Sequence, residues 1–216
     1  MAGYDRPYGL LQLSRNKKLL LRRGRALIIN APQLVARAEV IREKGTNRSQ
    51  FLRGQADKYT WVDIGSSYVI SDMLAAFLVG QLENMDKITA RRAEVCDRYA
   101  GMLAPLAERG LIRLPSVPQH CTTNHHMFYV LAADLGERTA LIAHLRQAGI
   151  LAVFHYVPLH SAPFARSLGV PQASLPVTED VSSRLLRLPM YFDLTDRDVA
   201  EVAAAVLGYY REKERP

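Results

Sequence analysis

The chain has only two cysteines, Cys96 and Cys121, and no Cys-x-x-Cys spacing. A disulfide-stapled secreted scaffold is therefore excluded, and reduced thiols in the cytoplasm are the expectation. No apolar run approaches the ~20 residues that cross a bilayer as a helix, so neither a membrane span nor a membrane partner is expected. Gly-x-Gly-x-x-Gly, Walker and Gly-x-Ser-x-Gly segments are missing. Their absence removes the local signatures of dinucleotide binding, P-loop hydrolysis and a serine elbow. There is no internal repeat and no low-complexity tract, and tryptophan occurs once.

Histidine is present but not in a metal-binding pattern. His120, Cys121, His125, His126, His155 and His160 match no tight ligand spacing, and no carboxylate adjoins any of them. No metal site is expected. His155 and Tyr156 form a polar pair in an apolar run. They are either satisfied in the core or face a cleft.

The net charge of +7 is concentrated at one end. Residues 1–25 hold Arg6, Arg15, Lys17, Lys18, Arg22, Arg23 and Arg25 against Asp5, so the remaining chain is almost neutral. A basic head of this kind is compatible with phosphate-backbone binding or with a transit peptide. It lacks the repeats and interleaved aromatics of a nucleic-acid module, and no nucleic-acid partner is expected. A basic-tailed nucleic-acid binder remains as an alternative.

Beyond the head, Ala26–Ile29 reads as a buried strand, with Pro32 suited to the first turn of a following helix. Leu34, Val35, Ala38 and Ile41 recur at helical spacing until Gly45. Ser71 and Asp72 open a second helical pattern, which runs through Ile88, Val95 and Tyr99 to Leu106, with a kink expected near 84–86. Short strand-like pieces follow at 111–114, 127–131 and 152–157. A helix around Ala140–Leu145 stops at Gly149, and a short helix is expected over 182–186. Thr195 and Asp198 have the spacing of a capping box before a last amphipathic helix. The fold class is α/β. A basic head (1–25) precedes a strand, helix and loop (26–70). A long bridging helix (71–108) then leads to a small α+β domain (109–216), a sheet with helices on one face.

Between the first two helical patterns lies a long polar stretch, 41–68. It carries Phe51, Tyr59, Trp61, a run of hydroxyls and three glycines. A linker would be poor in aromatics. A stretch like this between regular elements is either a binding loop, the preferred reading, or a well-packed structural loop.

Several segments carry a resemblance that spacing alone does not reveal. They are IREKGTNRSQ (41–50), DKYTW (57–61), DIGSSY (63–68), Ala90-Arg-Arg92 with Tyr99, NHHMFY (124–129), VFHYVPLH (153–160) and RLLRLP (184–189). Together they resemble the sugar-nucleotide aminotransferases of the DegT/DnrJ/StrS family over residues 26–216. The resemblance implies the C-terminal portion of a pyridoxal-phosphate fold type I enzyme, with active sites at the boundary of a homodimer. Its partners would be glutamate, as amino donor, and a 4-keto-6-deoxy sugar nucleotide. It implies Ser67 and Tyr68 near the cofactor, and Asn47, Arg48, Trp61, His155 and Tyr156 near the substrate.

In one respect the chain departs from that pattern. The family's Ser-x-His-x-x-Lys segment, whose lysine holds the cofactor, is expected just before Ala26. Here Ser14 is followed by Arg-Asn-Lys-Lys, and neither Lys17 nor Lys18 fits the motif. Residues 11–24, back-translated with suitable codons and read in a shifted frame, spell Ser-Phe-His-Glu-Thr-Lys-Asn-Tyr-Tyr-Cys-Gly-Glu. The expectation is a reading-frame lesion near Arg23–Arg25 and a truncated chain, inactive by itself, with no catalytic residue to nominate. A non-catalytic dimerisation or binding module is the other alternative.

Overall fold

The computed structural model describes residues 8–13, 24–169 and 174–213. Lys17, Lys18 and most of the basic head lie outside the described residues. The chain divides into two compact units, Met1–Met85 and Asp86–Pro216.

The first unit opens on an antiparallel hairpin, β1 (Tyr8–Leu13) with β2 (Gly24–Ile29), in register from Tyr8↔Ile29 to Leu13↔Gly24. The expected Ala26–Ile29 strand is the latter part of β2, but it is not buried as expected: Leu27 is 52% and Ile28 40% exposed. Nothing in the head's pattern signals β1. Pro32 starts a short 3-10 turn that runs into α1 (Val35–Arg42), and α2 (Arg48–Leu52) follows. At the end of α1 the Gly45 amide donates back to the Val40 carbonyl at 2.8 Å. That closure needs left-handed backbone at Lys44 (φ 64°) and Gly45 (φ 78°). Ser71 caps α3 (Asp72–Glu83) by accepting from the Leu74 amide.

The single helix expected over 71–108 is two helices, α3 and α4 (Met85–Glu108). Asn84 stands between them with φ −99° and ψ 9°, and its side-chain amide donates to the Gly80 carbonyl at 2.8 Å. A short amide side chain that satisfies a helical carbonyl competes with continuation of the helix.

The second unit contains a three-stranded antiparallel sheet in the order β3 (Phe128–Leu131), β5 (Leu185–Leu188), β4 (Val153–Phe154). The helices are α4, α5 (Leu135–Gln147), α6 (Pro163–Ser167), α7 (Pro176–Arg184) and α8 (Asp196–Lys213). Its core is assembled from one apolar stripe of each long helix. Val95, Tyr99, Leu103 and Leu106 come from α4, Leu141 and Leu145 from α5, and Val199, Val202, Val206 and Tyr210 from α8. The sheet adds Phe128, Val130, Leu186 and Leu188. Each such side chain contributes about 1.5–3 kcal/mol of burial. Tyr99 is buried and stacks on Phe128 at 5.1 Å, and its hydroxyl donates to the Pro189 carbonyl at 3.1 Å. Thr195 and Asp198 form the expected capping box. Each side chain accepts from the other's amide, at 3.1 and 3.0 Å.

The expected strand at 111–114 is reduced to one bridge between Arg113 and Leu131. The strand expected over 152–157 shrinks to two residues, because among the described residues it pairs only with Arg187 and Leu186. Residues 182–186, expected as a helix, are instead the end of α7 and the start of β5.

Candidate functional site

The stretch between α1 and α3 folds back on itself, and glycine makes the return possible. Backbone 60–68 lies against backbone 43–47. A Cβ placed on Gly65 would meet the Gly45 nitrogen at 2.1 Å, and one placed on Gly45 would meet the Asp63 carbonyl oxygen at 1.8 Å. The two segments bridge at Glu43↔Ser67 and Thr46↔Trp61. The Val62 and Asp63 amides both donate to the Gly45 carbonyl, at 2.8 and 3.0 Å. The Tyr68 amide reaches Arg42 and the Lys44 amide reaches Ser66, both at 3.1 Å.

Asn47 closes the other end. It is 9% exposed; its amide donates to the Lys58 carbonyl at 2.9 Å and accepts from the Thr60 amide at 2.8 Å. The side chain thus stands in for a strand partner, and both of its polar atoms are occupied by the loop itself. Asn47→Ala would leave two backbone groups without partners, at about 1–3 kcal/mol. Amide exchange at Thr60 should accelerate accordingly. Unchanged protection there would rule out this clamp.

Ion pairs add little energy but fix direction. Arg53 forks onto Glu39 at 2.8 and 2.7 Å, and Arg37 meets Asp63 at 2.6 Å. The hydrogen bond from Arg53 holds the Glu39 carboxyl below its ordinary range. Both pairs are exposed enough for solvent to screen them.

The folded loop and the end of α1 enclose a recess of about 240 Å³, lined by Arg42, Glu43, Lys44, Arg48, Tyr59 and Ser67, with Val69 at its side. Three cations face one carboxylate, which favours an anionic occupant. The Glu43 side chain is 10% exposed, and its Oε1 accepts from Arg42 at 2.8 Å and Ser49 at 3.3 Å. Its Oε2 has no partner among the described residues. Lys44 sits in left-handed backbone that a non-glycine residue rarely adopts, so its placement is held by the surrounding bonds.

Of the residues expected at a site, Arg48 and Ser67 meet in this recess. Asn47 is beside them in sequence but serves the loop. Trp61 is 76% exposed, its indole N–H donating to the Asp63 carbonyl at 2.6 Å, and Tyr68 is 66% exposed. His155 and Tyr156 belong to the second unit. Their rings are 5.5 Å apart and tilted, and Tyr156 is 71% exposed. Burial, and then the charges of Arg187 and His126, push the His155 pKa below its ordinary value. Tyr59, noted only among the loop's aromatics, also lines the recess, whereas sequence reasoning passes over Arg42, Glu43 and Lys44. Their signal was the charged run directly before Gly45. Among the described residues, no group of three or more His, Cys, Asp or Glu is arranged to hold a metal.

Comparison with known proteins gives this geometry a setting. The profile of the DegT/DnrJ/EryC1/StrS aminotransferase family matches residues 14–207. The chain is 29% identical to the dTDP-4-dehydro-2,3,6-trideoxy-D-glucose 4-aminotransferase of Saccharopolyspora spinosa, over 80% of this chain and 44% of that protein. It is 26% identical to a pleiotropic regulatory protein of Geobacillus stearothermophilus, over 87% of this chain and 47% of the relative. The chain therefore spans about half the length of these curated relatives. Among solved structures, the PLP-form of Spr1654 from Streptococcus pneumoniae superposes with a TM-score of 0.79 at 18% identity, over 98% of this chain and 53% of that one. A profile match across nearly the whole sequence, on a fold shared with solved relatives, places this chain in the DegT/DnrJ/EryC1/StrS aminotransferase family.

Proposed function

We propose that this chain is the C-terminal part of a pyridoxal-phosphate transaminase that moves an amino group from glutamate to a 4-keto-6-deoxy sugar nucleotide. The finer reading is formation of dTDP-4-amino-4,6-dideoxygalactose for surface polysaccharide, in the cytoplasm. The observation that carries the proposal is the cationic, hydroxyl-lined recess, built on the same loop that bears the family's sequence.

Aminotransferases of this family depend on pyridoxal phosphate. That cofactor, when bound, serves as the electron sink for moving the amino group. The recess fits its phosphate or a phosphate of the sugar nucleotide. Lys44 and Arg48 would balance the charge, and Ser67 and Tyr59 offer hydroxyl donors. Tyr68 and Trp61 would supply stacking surface beside it, and His155 and Tyr156 of the second unit are proposed as substrate-binding residues. The covalent anchor is the part that does not fit: where the lysine motif is expected, Ser14 is followed by Arg-Asn-Lys-Lys, without the motif's histidine. We therefore read the chain as inactive when alone.

Homodimerisation is part of the same proposal. Met73, Phe77, Val79 and Leu82 on α3 are 46–74% exposed, and Ile64 on the loop is 78% exposed, which supports cover by another polypeptide. No helix among the described residues is long and apolar enough to cross a membrane.

The test has two arms. Mixed with pyridoxal phosphate, the purified chain should show no visible band that borohydride fixes onto a lysine. A gene with the one-base shift restored should yield an enzyme that aminates a dTDP-4-keto-6-deoxy sugar with glutamate. Trapping of cofactor by the short chain would refute its inactivity. Failure of the restored enzyme with every 4-keto sugar nucleotide would remove the transaminase reading.

A further inference from the structure

We propose that residues 158–169 form a lid that begins just after His155 and Tyr156, and that a bond between His160 and Glu179 latches it. Its role toward substrate rests on the function proposed above; the lid itself rests on local geometry within the second unit.

β4 lies at the edge of its sheet and ends at Phe154. The chain then leaves the sheet through His155 and Tyr156. It makes a 3-10 turn (Leu159–Ser161) and the single turn of α6, and neither contains a buried residue. Helical turns this short are not stable alone and take their stability from packing of an apolar face. Here Leu159, Phe164 and Leu168 are 64–86% exposed, so the segment has no core of its own.

Its hydrogen bonds turn inward. The Ser161 hydroxyl donates to the Pro158 carbonyl at 3.1 Å, and the Ser167 hydroxyl to the Phe164 carbonyl at 2.8 Å. The amides of Ser161, Ala162, Arg166, Leu168 and Gly169 all donate to carbonyls within 158–169. The side-chain bond that leads outward joins His160 Nε2 to Glu179 Oε1 on α7, at 3.1 Å. The His160 side chain is 13% exposed and that of Glu179 51%. The bond from His160, and then that from the Leu175 amide, hold the Glu179 carboxyl below its ordinary range. At the far end Gly169 has left-handed backbone, φ 68°, with open space where a Cβ would stand. That position can pivot without a packing penalty.

A segment with no buried side chain and with inward bonds opens at low free energy. A pair as wet as His160–Glu179 is worth little, so it biases the segment toward the closed state without locking it. Pro158 follows Tyr156 by two residues, so movement of the segment displaces the backbone that carries Tyr156. Closure would then be coupled to the substrate contacts proposed for His155 and Tyr156.

The test is amide exchange on the 216-residue chain, read on peptides covering 158–169. In the wild type this segment should exchange by local opening, faster than α5 and α8. His160→Ala should speed it a further two- to fivefold or so, the effect of about 0.5–1 kcal/mol from a partly exposed pair, with α5 and α8 unchanged. Glu179→Ala should do the same, and the double variant should add nothing to either. His160→Gln keeps a donor where Nε2 stands, so it should exchange more slowly than His160→Ala. Trypsin cleavage after Arg166 should follow the same order.

The lid falls if 158–169 opens only with global unfolding. The latch falls if His160→Ala leaves exchange there unchanged, or if the two alanine effects add. In the restored enzyme, His160→Ala should raise the KM for the sugar nucleotide more than it lowers kcat. Faster exchange with an unchanged KM would overturn the coupling to substrate. The expected exchange pattern beside a restored enzyme that aminates no sugar would keep the lid and discard the transaminase reading.

Discussion

Gly65→Ala and Gly45→Ala should each detach the loop that carries the recess, while the second unit stays folded. At Gly65 the new methyl would fall 2.1 Å from the Gly45 nitrogen and 2.8 Å from the Lys44 carbonyl carbon. These are backbone atoms and cannot swing aside as a flexible side chain could. At Gly45 the methyl would meet the Asp63 carbonyl oxygen at 1.8 Å, in backbone with φ 78°. Overpacking costs about 1–3 kcal/mol and left-handed backbone about 1–2 kcal/mol more for a side chain with a Cβ. Gly45→Ala should therefore be the worse of the two, at about 2–5 kcal/mol.

The reporter is built in. Trp61 is the only tryptophan, and its indole N–H is bonded to the Asp63 carbonyl within the affected segment. Its fluorescence anisotropy should fall in both variants, with exchange accelerated across 43–68 and far-UV dichroism little changed. Two controls set the scale. Gly54 has φ 69° with nothing near its would-be Cβ, so Gly54→Ala should cost only the backbone penalty, about 1 kcal/mol. Gly80 lies inside α3 with open space around it, and Gly80→Ala should be neutral or stabilising by about 0.5–1 kcal/mol. Native anisotropy in both Gly45→Ala and Gly65→Ala would mean that the loop is not held by this backbone crossing.

The same loop shows where reading the sequence succeeds and where it stops. Its glycines, aromatics and hydroxyls mark it as built rather than connecting, and Gly45 marks the end of α1. What cannot be read is which polar groups remain free once the backbone has been satisfied. Asn47 looks like a substrate reader until Lys58 and Thr60 are found to occupy both ends of its amide. Lys44 looks like a surface charge until its backbone turns left-handed and its side chain lines the recess.

In the second unit, Gly149 and the Thr195–Asp198 box are local signals with local consequences, and both hold. The central strand β5 is the opposite case. Leu185–Leu188 is too short for a period of two to separate from the end of a helix, and its state is decided by pairing with Phe128–Leu131 far upstream.

Glu137→Ala should be the most damaging single change in the second unit, at about 3–5 kcal/mol, because it removes the shared acceptor of a buried network. The Glu137 side chain is 5% exposed. Its Oε1 accepts from the Tyr210 hydroxyl at 2.9 Å and the Ala133 amide at 3.1 Å, and its Oε2 pairs with the Lys213 ammonium. The carboxylate thus ties the first turn of α5 to the last turn of α8. Tyr210 is 1% exposed, so without Glu137 its hydroxyl would be left dry and unpartnered. Tyr210→Phe removes donor and need together and should cost about 1 kcal/mol. Lys213 is 55% exposed, and solvent screening should hold Lys213→Ala below about 1 kcal/mol. That ordering, read from urea unfolding, distinguishes a buried acceptor from a surface ion pair.

The network also sets a pH dependence. Burial disfavours the Glu137 charge, but the hydrogen bonds from Lys213, Ala133 and Tyr210 outweigh it, and the pKa falls below the ordinary 4.5. A carboxyl whose folded pKa is depressed contributes its full stability above the unfolded value and loses it as pH falls through the folded one. Stability of the wild-type unit should therefore drop steadily below pH 4.5, whereas Glu137→Gln, which titrates nothing there, should fall less steeply. Parallel stability curves for the two proteins below that pH would show that the charge on Glu137 contributes nothing, and that its hydrogen-bond geometry alone holds α5 to α8.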